Sequence, residues 1–392
     1  MDFDPEQLNA FVGKPALHLP TPALVLSKPT IERNTTRLLD DVKKANISFR
    51  CHVKTLKCGE VTRLMLGGDG VHKKVVASTL REIRGLLPLA REGIVEEALY
   101  GLPCRPSALP ELDRLSRDVG IQIMIDHEAH VDMCEEYNSR TGRSEPWSVF
   151  IKVDMGSKRA GAPLDSPRLK ELVRRAEGSD AVRICGFYCH AGHSYDCKTT
   201  DAAASVLHEE VNAAHEAADM MSSQDPVCIS FGATPTAHVV SSLSASLPAR
   251  VNLELHAGNF PANDLQQLST GSIQPSDLAV RVLAEIVSVY PERNEAIINA
   301  GTIALAKETS QFPGYANLVD APHWNAGRLS QEHGILVCSE EQKEDASKAF
   351  KIGQRVFLNV QHACITSANY GWYAVVDEQD VVREIWYPWR GW

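Results

Sequence analysis

No Cys-x-x-Cys pair occurs in the 392 residues, although ten cysteines are spread through them. Scattered cysteines fit reduced thiols in a packed interior and argue against a disulfide framework. No apolar run approaches the ~20 residues that span a bilayer. The opening Met-Asp-Phe-Asp-Pro-Glu also lacks an apolar signal core, so a cytoplasmic protein with no membrane partner is expected. No basic block longer than a few residues appears, and 40 Lys+Arg against 50 Asp+Glu leave a net charge of −10, which argues against nucleic acid as a partner. Internal repeats and low-complexity tracts are missing too, apart from a Ser-rich stretch at 241–246 that reads as a loop. What is present is 44% hydrophobic and 23% charged content, enough for one large domain and a smaller one.

Residues 46–57 draw attention because their alternation is inverted. Ile47, Phe49, Cys51 and Val53 form one face of a strand, while Ser48, Arg50, His52 and Lys54 form the other. Taken alone, the stretch also fits a solvated edge strand. If the polar face lines a closed barrel, Lys54 falls at the carboxyl end of the strand, where α/β proteins keep their chemistry.

Further strand-like runs at 74–78, 97–100, 121–126, 148–154, 183–189, 227–231 and 251–255 bring the total to eight, with helical patterns between them. That alternation predicts a (β/α)8 TIM-type barrel over residues 30–275. Lys152 and Asp154 share one face of the fifth run, and Asn252 and Glu254 one face of the eighth. Charges inside a barrel cost several kcal/mol each unless paired, so Arg50, Lys152, Asp154 and Glu254 are expected to neutralise one another. Beyond Pro275 the pattern changes to longer strands with hairpin punctuation, which predicts a second, β-rich domain over 276–392 joined by residues 1–29.

The loop after the sixth run concentrates Tyr188, His190, His193 and Tyr195. The loops after the seventh and eighth, around Thr234 and around Gly258 and Asn259, offer small residues, hydroxyls and backbone N–H groups suited to a phosphate. Each is also an ordinary turn sequence. A phosphate cradle opposite a strand-end lysine points to pyridoxal phosphate, whose aldehyde the lysine can hold. In the second domain, His362 and Cys364 stand two apart in a run read as a strand, so imidazole and thiolate face one way and suit zinc. A buried cysteine beside an exposed histidine is the plainer reading of that pair.

Arg50-Cys51-His52-Val53-Lys54-Thr55, Gly186-Phe187-Tyr188, His190 to Tyr195, Asp264-Leu265-Gln266-Gln267, Gln331-Glu332-His333-Gly334 and His362-Ala363-Cys364 together resemble the eukaryotic-type D-serine dehydratases. These belong to the D-threonine aldolase and alanine racemase-like group of fold type III pyridoxal enzymes. The resemblance runs from Pro22 to Trp392. It implies an alanine racemase-like barrel in which Lys54 forms the Schiff base and removes the α-proton. Tyr188, Tyr195, Thr234, Gly258 and Asn259 would hold the cofactor, and Arg159 would face the pyridine nitrogen. His362 and Cys364 would bind Zn2+. It also implies a small D-amino acid substrate, D-serine first, and a homodimer. Leu56 stands where the family has a second histidine. An aldolase of the D-threonine type, a dehydratase of 3-hydroxy-aspartate and a non-catalytic pyridoxal phosphate carrier stay open as alternatives.

Overall fold

The computed structural model describes residues 4–68, 71–243 and 248–392. Residues 244–246 of the Ser-rich stretch lie outside the described residues. The chain divides into two compact units, one of Thr35–Phe260 with Trp389–Trp392 and one of Met1–Asn34 with Pro261–Pro388.

In the first unit eight parallel strands close on themselves: Ser48–His52, Lys74–Ala77, Glu97–Pro103, Gly120–Ile125, Trp147–Asp154, Val182–Cys189, Val227–Phe231 and Val251–Ala257. Closure is made where Val251–Ala257 pairs with Ser48–His52, placing His256 opposite Arg50. Helices such as Leu80–Arg91, Glu128–Thr141, Pro167–Glu177 and Thr200–Ala218 separate the strands. Their starts are written in the sequence: the side chains of Thr79, Ser166 and Thr199 each accept a hydrogen bond from a backbone N–H of the first turn. Every strand that a helix covers must bury its outer face, which is why Phe49, Cys51, Val149, Ile151 and Val153 are all buried.

The inner face is partly apolar and partly charged. Val76, Leu99, Met124, Phe150 and Tyr188 pack together as an interior cluster. Arg50 and Glu254, both 0% exposed, lie within the same barrel. The alternation of residues 46–57 therefore runs as expected, polar side inward, and the edge-strand alternative is excluded by the pairing of Ser48–His52 on both sides.

The second unit is a nine-stranded sheet that is antiparallel except for one pair. Ala23–Ser27 joins it, running antiparallel to Val280–Tyr290 and parallel to Tyr373–Val376. Val280–Tyr290 forms a hairpin with Glu295–Ile298. Asn294, in the left-handed region at φ 53°, turns the chain between the two strands. Leu8, Leu19, Val25, Leu283, Phe357 and Trp372 are part of this unit's core.

Candidate active site

The first barrel strand ends at His52, so Lys54 sits in the turn that follows, two residues past the last strand residue. That turn is anchored by what surrounds the lysine. Val53, Thr55 and Leu56 are buried, which leaves half-buried Lys54 as the residue turned toward the mouth. Lys57, at φ 51°, reverses the chain and pairs through Nζ with Oε1 of buried Glu82 at 3.0 Å. Oε2 of Glu82 accepts the Ser78 N–H at 2.6 Å. Gly258 is needed beside this turn, because a Cβ there would stand 2.7 Å from the carbonyl oxygen of His52.

Three histidines gather with Lys54. Burial, followed by the charges of Lys54, His190, Arg159 and Lys57, holds His52 well below the usual imidazole value of 6.5. Burial and the neighbouring cations Arg159, Lys54 and Lys152 do the same to His190. Burial, with His190, Lys152, His52 and Arg50 around it, lowers His256 likewise. Burial and the Arg159 charge also bring Lys152 down to about 8. Its Nζ lies 4.5 Å from the centroid of the Tyr188 ring, and His256 stacks on that ring at 3.9 Å and 11°. Among the described residues, Lys54, Lys152 and Arg159 form no ion pair. A mouth with several unneutralised cations and neutral imidazoles is prepared for an anion.

The hydrogen bonds assign the imidazole tautomers. Ser230 donates its single hydroxyl hydrogen to Glu254 Oε1 at 3.0 Å, so Nδ1 of His256, 3.1 Å away, must donate to Ser230 Oγ. Nδ1 of His190 donates to the Gly232 carbonyl at 2.8 Å. Both rings then keep a lone pair on Nε2. That of His256 is buried and has no partner among the described residues, an acceptor left for a ligand.

The charged network differs from the expected one. Arg50 Nε bonds Glu254 Oε1 at 2.6 Å, as expected, but the remaining partners are Glu97, 3.3 Å from Arg50 Nη2, and Lys74, 3.7 Å from Glu254 Oε2. Burial opposes the charge of Arg50, yet Glu254 more than offsets it, and Glu254 is held low by Arg50 in turn. Lys152 and Asp154 take no part. Asp154 is at the end of its strand, where Oδ1 accepts the N–H groups of Gly156 and Lys158 at 3.0 and 3.1 Å. Those bonds shape the loop carrying Arg159, which Asp126 Oδ2 secures from the other side through the Gly161 N–H at 3.0 Å. Glu97 and Lys74 open their strands, and alternation alone cannot tell which inward charges lie at one level of a barrel.

The loops read as a phosphate cradle do meet. Thr234 Oγ1, buried at the start of Thr234–Ala237, accepts the Asn259 N–H at 3.2 Å, and Gly232 takes φ 140°, where its Cα can pass close to the His256 carbonyl. Tyr195 lies half-buried in the single turn Gly192–Asp196. Phosphate fits this mouth by charge, and the orphaned His256 nitrogen and the strand-end amine fit a ring-bearing aldehyde, so the residues suit pyridoxal phosphate.

His362 and Cys364 are brought together, but not on a strand. The strand Arg355–Val360 stops short of them, and His362 is the N-cap of the helix Ala363–Ser367. Burial opposes protonation of His362, but contact with Cys364, the charges of Cys364 and Asp264, and contact with Glu308 raise it to about 9. Its buried Nδ1 has no hydrogen-bond partner among the described residues and lies 3.5 Å from Glu308 Oε2. An imidazole beside a thiol and carboxylates suits a borderline-soft cation, which would take the place of the imidazole's proton. Among the described residues no group of three or more His, Cys, Asp or Glu side chains is arranged to hold a metal ion, so such an ion would keep open positions.

The comparisons bear on this geometry. Residues 26–246 match the family model described as alanine racemase, N-terminal domain, and residues 279–376 the putative serine dehydratase domain. D-serine dehydratase of Schizosaccharomyces pombe is 42% identical over 99% of this chain and 95% of its own length. The chain belongs to the eukaryotic-type D-serine dehydratase family of fold type III pyridoxal phosphate enzymes. Solved relatives of this family's fold include D-threo-3-hydroxyaspartate dehydratase from Delftia sp. HT23, with a TM-score of 0.85, 26% identity, and coverage of 96% of this chain and all of that one. A cysteine-to-alanine variant of a D-threo-3-hydroxyaspartate dehydratase, described as its metal-free form, has a TM-score of 0.84 at 25% identity, over 97% of this chain and 100% of that one.

Proposed function

We propose that this chain dehydrates D-serine to pyruvate and ammonia with pyridoxal 5′-phosphate in the barrel unit and zinc on His362 and Cys364 in the β-rich unit. The carrying observation is the barrel mouth: a lysine amine at the end of the first strand, set among neutral histidines and unpaired cations. The near full-length likeness to a curated D-serine dehydratase supports the choice of substrate. The metal-free form named for the related dehydratase supports a metal at the histidine and cysteine.

In this reading Lys54 is the catalytic residue. It would hold the cofactor aldehyde at rest, and its ε-amine would take the substrate's α-proton. Pyridoxal phosphate supplies the electron sink that makes that proton acidic. Arg159 would serve the pyridine nitrogen as a cation that keeps its protons, on a loop shaped by Asp126 and Asp154. Tyr188, Tyr195, Thr234, Gly258 and Asn259 position the cofactor, mainly at its phosphate. Zinc supplies the Lewis acidity that turns hydroxide into a leaving group.

The test measures 2-oxo acid and ammonia released by the purified enzyme from D-serine, D-threonine and D-threo-3-hydroxyaspartate in parallel. Pyruvate from D-serine is the expected result. Glycine and acetaldehyde from D-threonine at a higher rate would point to the aldolase, and a bound chromophore with no turnover to a carrier. Chelation should lower turnover about 100-fold or more. Elimination at full rate in metal-free enzyme would remove zinc from the proposal.

A cytoplasmic homodimer completes the reading, supported by the family resemblance; no helix among the described residues is long and apolar enough to cross a membrane. Sedimentation at the mass of a single chain would remove the dimer.

A further inference from the structure

We infer that Glu210 is a positioning residue whose carboxylate sets the spacing of the loops after the sixth and seventh barrel strands, and thereby the grip on the cofactor's phosphate. The inference deepens the proposed function and rests on its reading that these loops hold the phosphate.

Glu210 belongs to Thr200–Ala218, a helix that packs on the sixth and seventh strands through buried Ala203, Leu207, Val211, Ala214 and Ala217. It shares that apolar face and is 0% exposed. If docking the helix were the only need, an alanine or leucine there would avoid the cost of burying a carboxylate. What the carboxylate obtains instead is a set of donors from the two loops. Oε1 accepts the Ala191 N–H at 2.6 Å, and Oε2 accepts the Thr236 hydroxyl at 2.8 Å. The Gly232 N–H also favours the ionised form of Glu210.

The connection continues from there. Thr236 Oγ1 accepts the Ala233 N–H at 2.9 Å, closing the turn that opens Thr234–Ala237, and Thr234 Oγ1 holds the Asn259 N–H of the eighth strand's loop. One side chain on an outer helix thus ties two of the loops together directly, and Thr234 carries the connection on to the third. Burial raises Glu210 to about 7 against the pull of those three donors. Its position is therefore held by the loops and disfavoured by its surroundings, as expected of a group kept for positioning rather than packing.

The experiment titrates cofactor-free enzyme with pyridoxal phosphate and, separately, with pyridoxal, which lacks the phosphate, following visible absorbance. Glu210→Gln and Thr236→Val are expected to weaken pyridoxal phosphate about tenfold or more while changing pyridoxal less than about twofold. Thr236→Ser, which keeps the hydroxyl, should restore wild-type affinity. Wild-type affinity for pyridoxal phosphate in Thr236→Val, or equal losses for both ligands, would overturn the inference, and the threonine pair decides it even if Glu210→Gln folds poorly. A wild-type enzyme that binds pyridoxal as tightly as pyridoxal phosphate would bring down the phosphate reading itself, a different failure.

Discussion

The interior of the barrel and its mouth treat charge in opposite ways. Inside, Arg50 and Glu254 are fully buried and meet at 2.6 Å, with Glu97, Lys74 and Ser230 closing the remaining bonds. At the mouth, Lys54, Lys152 and Arg159 lie near one another and near three neutral imidazoles, with no carboxylate pairing them among the described residues. Charge neutralised in place holds strands together. Charge left over is a standing cost that only a ligand relieves, and so it marks where the ligand goes.

Four measurements can break or sharpen that contrast. Lys54→Ala should reduce pyruvate formation about 10^4-fold, since it removes both the covalent anchor and the base, while thermal unfolding changes little. A comparable loss of stability would make Lys54 part of the scaffold. Arg50→Met should do the reverse, costing about 3–5 kcal/mol by leaving buried Glu254 without its closest cation, and Arg50→Met with Glu254→Leu should recover most of it. Denaturant titration of the three proteins reads this directly.

The third measurement is stability against pH in the cofactor-free enzyme. His52, His190 and His256 are held well below 6.5 when folded, so below pH 6.5 the unfolded chain takes up protons that the folded one refuses. Their contribution is intact above 6.5 and is lost as pH falls. Glu210, raised from 4.5 to about 7, works the other way, because between those values the folded chain holds a proton that the unfolded one releases. Three histidines against one glutamate leave the balance with the histidines, so stability is expected to fall as pH drops from 6 to 5. A flat profile there would mean that the imidazoles are exposed. The smallest effect is expected from Lys152→Met, which removes a buried cation with no ion-pair partner and should raise stability by about 1–3 kcal/mol while impairing the reaction. A loss of stability would show Lys152 to be paired after all.

The barrel strands were legible because each alternates with its own helix, and burial on one side forces the period of two. Arg50 and Glu254 could be matched from alternation since both fall on the inward set. Glu97 and Lys74 could not, because level within a barrel depends on strand stagger. His362 and Cys364 were found by spacing but misplaced on a strand; the chain leaves Arg355–Val360 and begins a helix before reaching Cys364. Glu210 did leave a signal. Ala203, Leu207, Glu210, Ala214 and Ala217 recur at three or four residues, and a carboxylate on such a face needs donors from elsewhere.

From the order of residues alone came the elements, their inward and outward faces and the family pattern around Lys54 and His362, since all of these depend on neighbours a few positions apart. Which carboxylate meets Arg50, which nitrogen of His256 keeps its lone pair, and how one glutamate joins two loops were decided only on folding. Those outcomes are set by distances between groups remote in the chain, and burial removes the water that would otherwise make every partner equivalent.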